Sequence, residues 1–150
     1  MVDLSGLVRE VTEELSDRIE AKNINLQLRL PASIQIPDSN YDLLFQLVYN
    51  IVNNAIRYNR EGGDIRISGA KRDGGFALHI ADTGQGIPSA AIPTLFHRFK
   101  RSGQSMEDGY GLGLAIVKAI ADYHGIGLEV RSEEGNGAEF IVMFTTMNRL

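Results

Sequence analysis

The segment QLVYNIVNNAIRYN, residues 46–59, places three asparagines within five positions of an amphipathic pattern. At 100° per residue, Asn50, Asn53 and Asn54 fall on one arc with Arg57, opposite an apolar stripe. Helix surfaces usually carry Glu, Lys and Arg, because Asn costs about 0.5 kcal/mol at an interior helical position. Amide side chains offer oxygens to a hard cation and N–H donors to phosphate oxygens. The pattern therefore favours a binding face over a merely solvated one.

The segment GYGLGLAIV, residues 109–117, has alternating glycines that open directly into an apolar helix. Such a start collects free backbone N–H groups and the positive end of the helix dipole, which suits an anion such as phosphate. A flexible hinge into a core helix is the alternative. Neither common nucleotide fingerprint fits, because the chain has no Gly-Lys dipeptide for a P-loop, and Gly111 and Gly113 lack the third glycine of a dinucleotide motif.

The segment DTGQGI, residues 82–87, follows an apolar strand-like run and is by itself an ordinary turn. Together with the other two segments, however, it is better interpreted as part of a binding site. Asp82 can accept a hydrogen bond from an exocyclic amine, and Gly84 and Gly86 can let backbone approach a flat base. Together the three segments describe a site for a magnesium-bound purine nucleotide.

The elements that must position these groups follow from hydrophobic periodicity and turn residues. The first half contains a helix over Leu4 to Ile19 opened by Asp3 or Ser5, a strand over 24–30, a loop with Pro31 and Pro37, and a helix over about 40–58. Strands over 64–71 and 75–81 follow, and then a long loop to Tyr110. The chain ends with a helix from Leu112 to Tyr123 and strands over 126–132 and 138–146. The hairpins require a mixed, largely antiparallel sheet with helices on one face. The predicted fold is an α/β two-layer sandwich.

Composition narrows the class of protein. The 150 residues, 43% hydrophobic, suit a single domain over 1–150. A formal net charge of -4 argues against a nucleic-acid partner. The absence of cysteine fits a reducing compartment. The chain shows no signal-peptide pattern and no apolar run near the roughly 20 residues that a membrane helix needs. We therefore expect a cytoplasmic domain without direct membrane contact. Its parent protein could be membrane-anchored.

These motifs resemble the catalytic, ATP-binding domain of sensor histidine kinases, in the Bergerat-fold ATPase superfamily, over essentially the whole chain. In chain order, the matching segments are NIVNNAIRYN (N box), DTGQGI (G1 box), LFHRF (F box, 95–99), GYGLGLAIV (G2 box) and GNGAEF (135–140). The resemblance implies ATP and Mg²⁺ as ligands. It places the nucleotide-binding residues at Asn50, Asn54, Arg57, Tyr58, Asp82, Gly84, Gly86, Ile87, Phe99, Arg101, Gly109, Tyr110, Gly111, Leu112, Gly113 and Leu114.

The resemblance also implies individual roles. Asn54 would coordinate Mg²⁺, and the catalytic set of Asn50, Asn54 and Arg57 would act at the phosphates. Tyr58 would pack near the adenine, whose amine Asp82 would bind. Arg57 stands where Lys is more usual in the family, which keeps the charge but changes its geometry.

A mobile ATP lid would run from about residue 88 to 110. Phe96 and Phe99 would anchor it, and the glycines of the G2 box would let it close. Tyr110 stands where a small residue is commoner, which affects the detail of closure. The basic run of Arg98, Lys100 and Arg101 is either a solvated face or a contact for the γ-phosphate or a partner.

Three functions remain open: a phosphotransferase domain, an ATP-hydrolysing relative of type II topoisomerases and mismatch-repair ATPases, and a nucleotide-binding module without chemistry. The hydrolysing relatives place a carboxylate four residues before the metal-binding Asn, where this chain has Asn50. An amide is not a useful base near pH 7, so rapid hydrolysis is disfavoured.

Phosphoryl transfer to a histidine is the favoured function. His79, His97 and His124 lack the acid that follows the family's phosphoacceptor histidine. We therefore expect the acceptor on a separate dimerisation domain outside this chain, with a response regulator downstream.

Overall fold

The computed structural model describes residues 1–72, 74–95 and 110–145. Its helices are α1 (Leu4–Glu14), α2 (Ser16–Ala21), α3 (Tyr41–Arg57) and α4 (Tyr110–His124), with a 3-10 helix at Ser89–Thr94. Its strands are β1 (Val2–Asp3), β2 (Asn25–Arg29), β3 (Gln35–Ile36), β4 (Asp64–Arg72), β5 (Gly75–Asp82), β6 (Gly127–Ser132) and β7 (Ala138–Thr145).

Five of the strands form one mixed sheet in the order β2-β4-β5-β7-β6. β2 runs parallel to β4, and the remaining neighbours are antiparallel. The predicted α/β sandwich with a largely antiparallel sheet is confirmed.

The core lies between the helices and one face of this sheet. The cross-strand pairs Ile67↔Ile80 and Ile80↔Phe140 put buried side chains on that face. The apolar stripes of α1, α3 and α4 pack against them, with Leu44 and Leu114 fully buried. The alternate positions on the opposite face include Arg66, so the period-two pattern of the strands decides which face meets the helices.

The first segment differs from its prediction in three ways. One helix was predicted over Leu4 to Ile19, but the structure breaks it at Leu15 into α1 and α2. Neither predicted cap acts through its side chain at the start of α1, because Asp3 accepts from the backbone N–H of Ile34 at 3.0 Å and Ser5 donates to the carbonyl of Pro31 at 2.7 Å. These bonds hold a short β1–β3 pair in what was predicted as loop.

Helix α3 is secured at both ends. Asn40 caps its first turn by accepting from the N–H of Leu43 at 3.0 Å. At the other end, the Nζ atom of Lys22 donates to the carbonyls of Ile56 and Arg57, both at 2.9 Å. A cation on these last carbonyls also meets the negative end of the helix dipole. The helix that carries the asparagines therefore has a fixed register and end point.

Helix α4 packs along α3 with the opposite direction. The Nε2 atom of His124, the last residue of α4, accepts from the backbone N–H of Asn40 at 3.2 Å. Since the end of α4 meets the start of α3, the start of α4 lies beside the C-terminal half of α3. No helix in the described ranges has the length and apolarity to cross a bilayer.

The alternation of β4 can be tested with neighbouring substitutions. Ile67→Ala leaves a cavity in the core, so we expect a loss of about 2–5 kcal/mol in the free energy of unfolding. Arg66→Ala, one position away on the other face, should change it by less than about 0.5 kcal/mol. Urea denaturation of both variants measures the difference; equal losses would contradict the assignment of faces.

Candidate functional site

Two buried amides lie on the polar arc of α3. Asn54 is 7% exposed and Asn50 is half-buried. Among the residues that the structure describes, the Nδ2 atoms of both are buried without a hydrogen-bond partner. Buried polar atoms in folded proteins are nearly always paired, so two orphaned donors on one face of a helix point to a ligand that would satisfy them.

The third asparagine of the arc has a different task. The Oδ1 atom of Asn53 accepts from Arg18 of α2 at 2.8 Å, at an exposed position. Asn53 therefore ties α2 to α3, as Lys22 does a turn later. The sequence pattern could not separate Asn53 from Asn50 and Asn54, because periodicity gives the direction of a side chain but not the element that lies there.

The end of α3 leads directly to the segment after β5. The guanidinium of Arg57 lies over the ring of Tyr58, 5.3 Å from its centroid. The carbonyl of Tyr58 accepts from the N–H of Gln85 at 3.1 Å. A Cβ on Gly84 would overlap this same carbonyl. The structure thus brings the predicted N box and G1 box into contact through backbone, at a distance that only glycine at position 84 permits.

The other glycine of DTGQGI meets the turn between β6 and β7. Gly86 has φ of 74°, and a Cβ there would overlap the carbonyl of Glu133. Gly135 donates to the carbonyl of Gln85 at 2.7 Å, and Ile87 donates to Ser132 at 2.7 Å. Gly84 and Gly86 therefore have packing reasons within the chain, and their predicted part in shaping a base pocket stays a prediction.

Asp82 ends β5 in a desolvated setting. Its Oδ1 atom accepts from the backbone N–H of Gly84 at 2.8 Å. Burial raises the pKa of this carboxyl above its ordinary value, although backbone hydrogen bonds from Gly84 and Ala138 oppose the rise. A carboxyl whose pKa is perturbed by burial is a candidate functional group.

The first turn of α4 contains the predicted residues Tyr110, Gly111 and Leu112. At Gly113, a Cβ would meet no atom of the described chain within 4 Å. The described chain therefore supplies no packing reason for glycine at this position. Glycine inside a helix nevertheless costs about 1 kcal/mol relative to alanine. Leu114 is fully buried in the core.

Several predicted residues lie outside the described residues. These are Phe96, Phe99, Arg101 and Gly109, together with most of the predicted lid. In the described ranges, no group of three or more His, Cys, Asp or Glu side chains could hold a metal ion.

Two supporting residues were not predicted. Asn59 and Thr83 are hydrogen-bonded to each other at 3.2 Å, beside Tyr58 and Asp82 respectively. The sequence offered one signal for their role, because each directly follows a predicted site residue. The bond itself joins residues 24 positions apart, which no local pattern shows.

Comparison with known proteins agrees with this geometry. Residues 39–147 match the family model described as histidine kinase-, DNA gyrase B- and HSP90-like ATPase. The adaptive-response sensory kinase SasA of Synechococcus sp. (strain JA-3-3Ab) is 33% identical over 139 residues, which cover 91% of this chain and 37% of that protein. The chain thus spans little more than a third of this relative's length.

Solved structures show the same fold. The mycobacterial sensor histidine kinase MprB superposes with a TM-score of 0.84 at 28% identity, covering 99% of both chains. Full-length ShkA, solved in complex with AMPPNP, gives a TM-score of 0.82 at 31% identity, with 99% of this chain and 31% of that chain covered.

The chain belongs to the family of histidine kinase-, DNA gyrase B- and HSP90-like ATPases. Within it, the chain is an ATP-binding catalytic domain of the type found in sensor histidine kinases. The resemblance drawn from the five sequence motifs is confirmed.

The buried carboxyl of Asp82 makes stability depend on pH. Because its folded pKa is raised, this group favours folding most at low pH, below its unfolded value of about 3.9, and that contribution is lost as pH rises through the folded pKa. Asp82→Asn should therefore raise the melting temperature of the ligand-free chain at pH 7, with a gain that shrinks on acidification. Thermal unfolding between pH 7 and pH 3.5 measures this.

The exposed Asp17 provides the control, since Asp17→Asn should give no such gain. A melting temperature at pH 7 that falls in Asp82→Asn would show that the backbone hydrogen bonds outweigh the desolvation of the carboxylate.

Proposed function

We propose that this chain binds Mg²⁺-ATP between α3, the segment after β5 and the start of α4, and presents the γ-phosphate to a histidine outside the chain. The observation that carries the proposal is the pair of buried amide nitrogens on Asn50 and Asn54 that lack partners in the described chain. The AMPPNP complex of ShkA supports a triphosphate nucleotide as the ligand class.

The phosphate end of the site would use amides, a cation and a helix start. Asn50 donates to phosphate oxygens through its Nδ2 atom, and the exposed guanidinium of Arg57 adds charge. The first N–H groups of α4 have no partner within the helix, and the positive end of its dipole favours an anion. Because no atom of the described chain lies within 4 Å of a Cβ at Gly113, these residues leave room for the phosphates to approach this helix.

Mg²⁺ fits the donor set of the site. Its preferred partners are oxygens, and it is usually held by one or two side chains together with substrate phosphates and water. The amide oxygen of Asn54 would be the protein ligand, because an amide oxygen suits a hard cation and the Nδ2 atom of the same side chain has no partner within the described chain. When bound, the cation neutralises the charge that develops on the phosphates during transfer.

The base end of the site would use Asp82. A carboxylate accepts from the 6-amino group of adenine, whereas it faces the 6-carbonyl of guanine acceptor to acceptor. The desolvation that raises the pKa of Asp82 also strengthens a hydrogen bond made there. Tyr58, held 3.1 Å from Gln85 through its carbonyl, would pack near the ring.

The described residues offer neither a base for hydrolysis at position 50 nor an unengaged histidine. Asn50 stands where a hydrolysing relative would carry its base. The ring of His79 pairs with Glu139 at 2.9 Å. His124 uses both ring nitrogens, one with the carbonyl of Ile120 at 3.0 Å and the other with the N–H of Asn40. These contacts support an acceptor histidine on a separate dimerisation domain, with a response regulator as the next partner.

Asn54 and Asn53 offer a matched test of the cation site. Asn54→Ala should weaken Mg²⁺-dependent ATP binding by about 10- to 150-fold, the worth of one interaction with a charged partner. Asn53→Ala removes the same side chain one position away, where it binds Arg18, and should leave affinity unchanged. Calorimetric titration with and without Mg²⁺ measures both; equal affinity of Asn54→Ala and the wild type would refute the proposed role.

Incubation with γ-phosphate-labelled ATP distinguishes phosphoryl transfer from ATP hydrolysis and from nucleotide binding without chemistry. The chain alone should bind ATP but neither acquire acid-labile phosphate nor release phosphate rapidly, because it carries no base at position 50 and no free acceptor among its described histidines. Adding a dimerisation domain with an acceptor histidine should produce acid-labile label on that domain. Rapid phosphate release by the chain alone would favour a hydrolase instead.

A further inference from the structure

A small polar cluster joins the end of α3 to the residue that follows Asp82. The hydroxyl of Thr83 donates to Oδ1 of Asn59 at 3.2 Å and accepts from the backbone N–H of Asp64 at 2.9 Å. The Nδ2 atom of Asn59 donates to the carbonyl of Asp64 at 3.1 Å. Asn59, Thr83 and the peptide groups of Asp64 are called the Asn59–Thr83 clasp below.

The clasp is closely packed around the buried Asn59. Asn59 is 7% exposed, and its Oδ1 atom also accepts from the N–H of Arg60 at 2.9 Å. A Cβ on Gly63 would overlap the Asn59 amide and lie 2.9 Å from the Thr83 hydroxyl oxygen. Position 63 therefore has to be glycine for the clasp to close.

The polar atoms of the clasp are engaged within the chain. Both heteroatoms of the Asn59 amide and the Thr83 hydroxyl have partners, in contrast to the orphaned amides of Asn50 and Asn54. The clasp therefore has no need of a ligand, and any effect on nucleotide binding must pass through its neighbours.

Those neighbours are the two residues proposed to meet the base. Tyr58 precedes Asn59 on one side of the clasp, and Asp82 precedes Thr83 on the other. The carboxylate of Asp82 is oriented by the N–H of Gly84, one residue beyond Thr83. A hydrogen-bonded network of this kind, in which the side-chain atoms all have partners, holds its neighbours to a narrow range of positions.

We infer that Thr83 and Asn59 are positioning residues for recognition of the adenine edge, which they influence by setting where Asp82 lies relative to the end of α3. This inference rests on the proposed ATP site and assigns the clasp no contact with the nucleotide. It requires that the clasp matter for binding only while the Asp82 carboxylate is present.

A double-mutant cycle tests this requirement. Thr83→Val keeps the shape and removes the hydroxyl, so ATP affinity should fall about two- to tenfold, the worth of one hydrogen bond. In an Asp82→Ala background the same change should alter affinity by less than about 1.5-fold, because its effect passes through the missing carboxylate. Thr83→Ser restores the hydroxyl and should bind ATP as the wild type does.

Calorimetric titration gives the affinities, and thermal unfolding follows stability. Thr83→Val should lower the melting temperature in both backgrounds, which a purely structural role would also do. The control is Thr12→Val on α1, where the hydroxyl bonds to the carbonyl of Arg9 at 3.0 Å far from the site in sequence. It should affect the melting temperature without changing ATP affinity.

The outcomes distinguish the two proposals. If Thr83→Val binds ATP as tightly as the wild type, or loses as much affinity with Asp82 absent as with it present, the positioning role is wrong while the ATP site stands. If the wild-type chain does not bind ATP, both proposals are overturned. Coupling to Asp82 with rescue by Thr83→Ser supports the inference.

Discussion

Helix α3 has to meet two opposed requirements, and the rest of the structure depends on how it meets them. One side is buried against the sheet through residues such as Leu44 and Ile51, which have no solvent exposure. On a neighbouring side, the Nδ2 atoms of Asn50 and Asn54 are buried without a hydrogen-bond partner in the described part of the chain. Asparagine is a poor helix former, so capping by Asn40 and Lys22 and packing by α1 and α4 must hold the helix in place.

The site resembles other functional sites in being locally unfavourable for the fold. Asp82 is desolvated, two buried amide donors have no partner among the described residues, and a glycine occupies a helix position where those residues give no packing reason for it. Each of these features costs stability in the ligand-free domain. The surrounding network does the opposite, since Asn59, Thr83 and Ser132 all have partners. Firm support around unsatisfied groups is the arrangement expected of a preorganised binding site.

The described residues supply only part of what phosphoryl transfer requires. Phosphoryl transfer depends mainly on positioning and on neutralising charge, which amides, a cation and a helix start can provide. It also needs a nucleophile, and the described histidines are engaged in structural contacts with Glu139, Ile120 and Asn40.

Most of the secondary structure, the sandwich class and the motifs could be predicted from the sequence alone, because side-chain periodicity and glycine-bearing turns are local properties. It could not show the break at Leu15, the β1–β3 pair or the parallel pairing of β2 with β4, since these depend on contacts between distant segments. The same limit applies to the site. Asn50, Asn53 and Asn54 share one arc, but tertiary packing pairs Asn53 with Arg18, whereas the Nδ2 atoms of the other two have no partner within the described ranges. Tertiary structure also joined Asn59 to Thr83, a contact that exists only after the sheet and α3 have come together.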